Sequence, residues 1–127
     1  MLPFSIELRP GLPVAEQILF AVKKSVVAGQ LRAGDKFHSV RVLSQELRVN
    51  PNTAHKVIAA LVAEGVLVTT PASGSIVAER MNGGRQEKAD LLGDDLEHVV
   101  VEAKKLGLTL AEVQSGLGAH WKRLGGR

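Results

Sequence analysis

Asn52, Thr53, His55 and Lys56 bring amide, hydroxyl, imidazole and ammonium groups together in one short stretch of this 127-residue chain. Such groups, set side by side on a rigid support, can hydrogen-bond base-pair edges and attract phosphate. Catalytic chemistry has no comparable signal. The runs G-x-x-x-x-G-K, H-E-x-x-H and G-x-S-x-G do not occur, and Gly74-Ser75 reads as a turn. His98 and Glu102 share an i, i+4 spacing with His120 beyond, but four histidines dispersed over ordinary helix positions suit structural or exposed roles. Neither a metal nor another cofactor is expected, and no enzyme activity.

The support for the polar cluster is a pair of helices joined by a tight turn within residues 37–65. Ser39 is a good N-cap for a helix whose apolar positions Val40, Leu43 and Leu47 fall on one face, and which should run to about Arg48. Asn50 and Pro51 then start a second helix, because Asn caps free N–H groups and Pro suits the first position, where no donor is needed. Projected at about 100° per residue, that helix sets Ala54, Val57, Ile58, Leu61 and Val62 on one side and Asn52, Lys56, Ala59 and Ala63 on the other. Thr53 and His55 flank the outward side. Polar groups near the N-terminus and only alanines beyond let a helix approach a groove closely. An ordinary amphipathic surface helix is the alternative.

After Glu64 and Gly65 the period changes: residues 66–70 and 75–78 read as strands around the break Pro71-Ala72-Ser73-Gly74, a β-hairpin. A hairpin directly after such a helix is the wing of a winged helix-turn-helix, unless it is a solvent-exposed loop that only closes the core. Upstream, Val14, Ile18, Val22 and Val26 give a first helix an apolar stripe ending at Gly29, which completes a three-helix core. Residues 4–8 alternate enough for a short edge strand or arm, stopped by the prolines and glycine of residues 9–13.

In order, Gln17, Gly29-Gln30-Leu31-Arg32-Ala33-Gly34-Asp35-Lys36, Ser39-Val40-Arg41, Asn50-Pro51-Asn52-Thr53, Glu64-Gly65-Val66-Leu67 and Gly74-Ser75-Ile76-Val77 resemble the winged-helix signature of the GntR family of bacterial transcriptional regulators. The likeness spans residues 4–78 and is specific as an ordered set. The Asn-Pro-Asn-Thr turn and the short C-terminal tail look most like the YtrA-type subfamily. This resemblance implies that Arg41 reaches a guanine edge or a nearby phosphate and that Thr53 binds backbone phosphate. It places Asn52, His55 and Lys56 where the family reads bases or phosphates, adds Ser39 and Asn50 to the DNA-facing set, and makes Gly74, with Ala72 and Ser73, the wing tip. Arg can donate two bonds to guanine, Asn suits adenine and Lys attracts phosphate. Three features depart from the family's pattern: His38 replaces the usual Pro, residues 69–72 are uncharged where basic and glycine-rich sequence is common, and an imidazole, His55, stands in the reading segment. YtrA-type relatives often repress transporter operons, which implies a repressor.

Asn82-Gly83-Gly84-Arg85-Gln86 reads as a linker or tight joint. Beyond it Leu92, Leu96, Val99, Ala103 and Leu106 form a coiled-coil-like seam broken at Gly107, and Thr109 with Glu112 makes a capping box before Leu110, Val113, Leu117, Trp121 and Leu124. Two such helices cannot bury both stripes by themselves. The expected cover is a second copy, giving a homodimer that binds an inverted repeat with half-sites ~10 bp apart; the alternative is folding back onto the same chain. No small-molecule sensor is expected in so short a region, and any effector would bind between subunits.

The fold class read from the sequence is therefore mainly α with a small β-hairpin: a winged helix-turn-helix DNA-binding domain over residues 1–80 and a two-helix dimerisation region over 81–127, a short helical hairpin. Charge agrees. Residues 1–80 carry nine Lys and Arg against six Asp and Glu, residues 81–127 seven against seven, so the whole excess of +3 lies in the first part. There is no cysteine for disulfides or thiolate chemistry, no signal peptide and no apolar run able to span a bilayer, so a soluble cytoplasmic protein without membrane partners is expected. The rival function is a winged helix that binds protein or RNA instead of operator DNA. With 3% aromatic residues, stacking on single-stranded RNA has little to work with.

Overall fold

The computed structural model describes residues 2, 4, 6–71, 74–79 and 83–125. It divides into two compact units, Met1–Met81 and Asn82–Arg127. In the first, helices α1 (Val14–Val27), α2 (Val40–Leu47) and α3 (Pro51–Ala63) are followed by strands β1 (Leu67–Thr70) and β2 (Gly74–Val77).

Each helix starts and stops where its local chemistry requires. The Ser39 hydroxyl accepts from the Val42 N–H at 3.2 Å and the Asn50 side chain accepts from the Asn52 N–H at 2.7 Å, so both α2 and α3 have a side-chain cap. At the end of α1 the Gly29 and Gln30 amides donate back to Val26 and Ser25, and at the end of α3 the Gly65 and Val66 amides donate back to Val62 and Leu61. Both glycines sit at positive φ, +84° and +77°, the conformation this C-terminal motif requires. Helix α2 ends differently, on Arg48 at φ 54° and ψ 48°.

The core forms because α1 and α2 both pack on α3, and α3 packs on β1. Ile18 and Val22 of α1, Leu43 of α2 and Ala54, Val57 and Leu61 of α3 are fully enclosed, with Leu31, Phe37, Leu67 and Val77 around them. Ile58 and Val62 pack against this cluster at its margin, as the helical projection requires. Val14, read as part of the buried stripe of α1, is instead exposed at the first turn. An ion pair of 2.9 Å between Lys23 and Glu64 ties α1 to the C-terminal end of α3.

Residues 4 and 6–8 form no strand and read as an arm: Phe4 is buried in the core, with Ile6 and Leu8 packed against it. Gln17 fastens the following segment, its amide accepting from Arg9 N–H at 2.7 Å and donating to the Arg9 and Leu12 carbonyls at 3.0 Å each. Strands β1 and β2 are antiparallel, with Leu67 opposite Val77 and Thr70 opposite Gly74. The segment before α2 lies on the other edge of β2: Phe37 N–H donates to Ser75, and Val77 N–H to Asp35, each at 2.9 Å. The sequence pattern gave no sign of this third edge, which fixes the hairpin to the start of α2.

In the second unit, α4 (Arg85–Asp90), a π-helical turn (Leu91–Asp95) and α5 (Leu96–Lys105) run as one helix, followed by α6 (Leu110–Leu124). The π turn, invisible to a reading by heptads, widens the helix where Leu92 begins its seam. Gly107, at φ +77°, ends α5 with the same two-bond motif seen after α1 and α3. The capping box is present: Glu112 N–H donates to the Thr109 hydroxyl at 3.1 Å, and Thr109 N–H donates to the Glu112 carboxylate at 3.0 Å. Extensive packing of the kind α3 makes is not repeated between α5 and α6. No helix among the described residues is long and apolar enough to cross a membrane.

Two outcomes follow from this construction. Leu61→Ala should cost about 2–5 kcal/mol in urea unfolding, because Leu61 is enclosed where α1, α2 and β1 meet α3. The Glu112 carboxyl is held below its ordinary value, first by the Thr109 amide and then by its hydroxyl. A lowered folded-state value stabilises above the unfolded one and is lost as pH falls through the folded one. Amide-exchange protection at the start of α6 should therefore decline in acid, and Glu112→Gln should remove that part of the pH dependence.

Candidate nucleic-acid interface

Helix α3 is anchored on one side by Ala54, Val57 and Leu61, so rotation about its own axis is fixed and the opposite side is committed to solvent. Asn52, His55, Lys56, Ala59 and Ala63 are all exposed there, and Thr53 is half-buried at the edge. The alanine half of this face leaves the helix slim towards its C-terminus.

Arg41 is exposed on the first turn of α2. Its carbonyl accepts from the Ser44 hydroxyl at 2.9 Å, leaving the guanidinium to solvent. Lys36, Arg41, Arg48 and Lys56 are exposed, and among the described residues none of them is in an ion pair. Glu46 is the sole acid among residues 36–56. A surface with several cations and one carboxylate attracts phosphate and weakens its hold as salt rises.

Ser39 and Asn50, assigned to the DNA-facing set, have their side-chain oxygens committed to capping. The Asn50 Nδ2 group remains as a donor. Gly74 opens β2 at φ +77°, a conformation that L side chains rarely adopt, and its carbonyl accepts from the Thr70 hydroxyl at 3.3 Å. Ser73 and Ala72, read as the rest of the wing tip, lie outside the described residues. Between the start of α2, helix α3 and the hairpin runs a groove of about 320 Å³ bordered by His38, Ile58, Thr69 and Gly74. His38 lies edge-on to Phe37 at 5.9 Å between ring centroids, so the position that breaks the family's proline pattern helps to wall this groove.

Seven of the ten C-terminal positions assigned to dimerisation carry their apolar groups outward. Leu92 and Leu106 are each 71% exposed, Leu110 is 72% exposed, and Leu96, Val99, Leu117 and Trp121 are exposed as well. Val113 and Leu124 are half-buried, and Ala103 is buried. His98 and Glu102 stand on exposed α5, while His120 Nδ1 lies 2.8 Å from the Arg123 guanidinium on α6; among the described residues no cluster is placed to hold a metal.

Two features of this surface escaped the sequence reading. Lys36 is joined to the hairpin by a bridge to Ile76, which places a cation beside the wing that the wing's own sequence does not supply. Arg48 takes a left-handed conformation, for which the sole signal was the lack of Gly or Asn at the end of α2.

Residues 14–77 match the family of bacterial regulatory proteins described as the gntR family. Over 109 residues the chain is 29% identical to the HTH-type transcriptional repressor YtrA of Bacillus subtilis, spanning 85% of this chain and 84% of that one. It is 32% identical over 106 residues to the HTH-type transcriptional regulator YhcF of the same organism, spanning 84% of each. A transcriptional antiterminator from Listeria monocytogenes has a similar solved structure, with a TM-score of 0.85, 27% identity and coverage of 97% of this chain and 93% of that one.

The split between capping and free side chains predicts unequal stability effects. Ser39→Ala and Asn50→Ala should each cost about 0.5–2 kcal/mol in chemical unfolding, whereas Lys56→Ala should stay within about 0.5 kcal/mol of the parent.

Proposed function

The chain belongs to the gntR family of bacterial regulatory proteins and is of the YtrA type, and from that premise we propose that it represses transcription in the cytoplasm as a homodimer on an inverted-repeat operator. The observation that carries the reading is the two-sided character of α3: one face locked into a core by Ala54, Val57 and Leu61, the other bare and polar beside Arg41 and Lys56. Such a helix enters a major groove with its N-terminal residues at the base edges, while cations on neighbouring elements hold the phosphates. In this assignment Asn52, His55 and Lys56 meet bases or phosphates, Arg41 a guanine or phosphate, Thr53 a phosphate, and Gly74 with Ser73 the adjacent backbone. Ser39 and Asn50 act chiefly by fixing the ends of α2 and α3.

The second unit supports self-association by what it leaves uncovered. Leucines and valines along α5 and α6 stay in water in the single chain, and each full burial of such a side chain stabilises an assembly by about 1.5–3 kcal/mol. A two-fold partner presents the same stripe in return, which makes the surface self-complementary. Repression then follows from occupancy: a dimer seated on a promoter obstructs RNA polymerase. The name of the Bacillus subtilis repressor YtrA supports this sign of regulation.

Selection of random duplexes with the full-length protein should enrich an inverted repeat, and binding to it should exceed binding to its scrambled version and weaken steeply with salt. Enrichment of nothing by a folded dimer would favour the protein- or RNA-binding module instead. Val99→Asp with Leu117→Asp should shift the protein to monomer in sedimentation while the winged unit stays folded; an unchanged dimer would remove α5 and α6 from the interface.

A further inference from the structure

We propose that Arg48 is a phosphate anchor for duplex DNA, presented beside α3 by a turn that glycine would suit better. The inference rests on the DNA-binding reading above and adds a contact to it. Helices α1, α3 and α5 all end with a glycine in the left-handed region: Gly29, Gly65 and Gly107. At the end of α2 the chain places an arginine there, the one non-glycine residue at positive φ among the described residues. A side chain in that conformation crowds its own backbone, so the position favours glycine on local grounds. Strain of this kind persists where something other than local stability selects the residue.

No side-chain partner among the described residues accounts for the arginine. Arg48 is exposed, and among the described residues its side chain makes no hydrogen bond or ion pair. The bonds that close the turn are all made by backbone: the Arg48 and Val49 amides both donate to the Ser44 carbonyl. Any residue able to adopt the conformation would make them. The placement accounts for it instead. Arg48 stands two residues before Asn50, the cap of α3, so its long side chain is tethered next to the end of the helix whose exposed face carries Asn52 and Lys56. The hairpin is uncharged from Val66 to Ala78 and has Lys36 bridged beside it, so phosphate attraction near the start of α3 has to come from the helical side. A guanidinium there can take two phosphate oxygens through a planar fork of parallel N–H groups, whereas a lysine ammonium would supply the same charge as a point.

The test compares full-length Arg48→Gly, Arg48→Asn and Arg48→Lys with the parent, on the duplex enriched by selection and on its scrambled version, over a range of salt. Arg48→Gly should melt a few degrees higher, because the turn is relaxed. It should nonetheless bind about fivefold or more weakly, with a salt slope shallower by about 0.9 for each Arg48 in contact. Arg48→Asn should weaken binding in the same way, and Arg48→Lys should keep the slope. Loss that is uniform over both duplexes marks a backbone contact. Unchanged affinity and slope in Arg48→Gly would overturn the proposal, as would equal losses in all three variants, which mean a structural role. A parent that binds no duplex would instead defeat the DNA-binding reading, and this proposal with it.

Discussion

The fold depends on enclosing one side of α3 completely while leaving the other side bare. Ala54, Val57 and Leu61 recur at steps of three and four, and their burial against α1, α2 and β1 fixes the helix about its axis and along its length. With that face fixed, the position of every residue on the opposite face is fixed too. A slip by one residue would rotate the helix by about 100° and bring Lys56 or His55 towards the core, where an unpaired charge is costly. Packing and exposure of the polar face are thus the same constraint seen from its two sides.

Small side chains and turns then set where that helix begins and what lies beside it. Asn50 and Pro51 start α3 abruptly, so its first amides and its polar residues come close to the turn. Gly65 reverses the chain into β1. Strand β2 is held by pairing with β1 on one edge and with residues 34–37 on the other. The hairpin is therefore joined to the start of α2 and carries no charge of its own, while Lys36, Arg41, Arg48 and Lys56 are the exposed cations around it and α3.

Most of this was legible because it is local. Ser39, Asn50-Pro51 and the Thr109–Glu112 box announce helix starts through chemistry confined to four residues, and each is found in place. The buried face of α3 follows from period alone. Features set by non-local pairing were not legible: the bonds of residues 34–37 to β2 join segments some forty residues apart, and no pattern in either segment encodes the other. Val14 shows the limit of periodicity, since its stripe continues past the point where neighbours exist to cover it. The π turn at Leu91–Asp95 and the left-handed Arg48 are departures from regular geometry that heptad and cap rules pass over. The exposed polar face of α3 was visible in the sequence, whereas the capping role of the Ser39 and Asn50 oxygens shows only in their hydrogen bonds.

In the proposed dimer the apolar stripes of the second unit would space two copies of α3 about a two-fold axis, which gives a DNA-reading helix its specificity. Hydroxyl-radical footprinting of the selected duplex tests this most directly. A dimer that reads with two copies of α3 should protect two backbone windows related by a dyad, ~10 bp apart, on one face of the helix. A single window without dyad symmetry, or uniform protection, would contradict it.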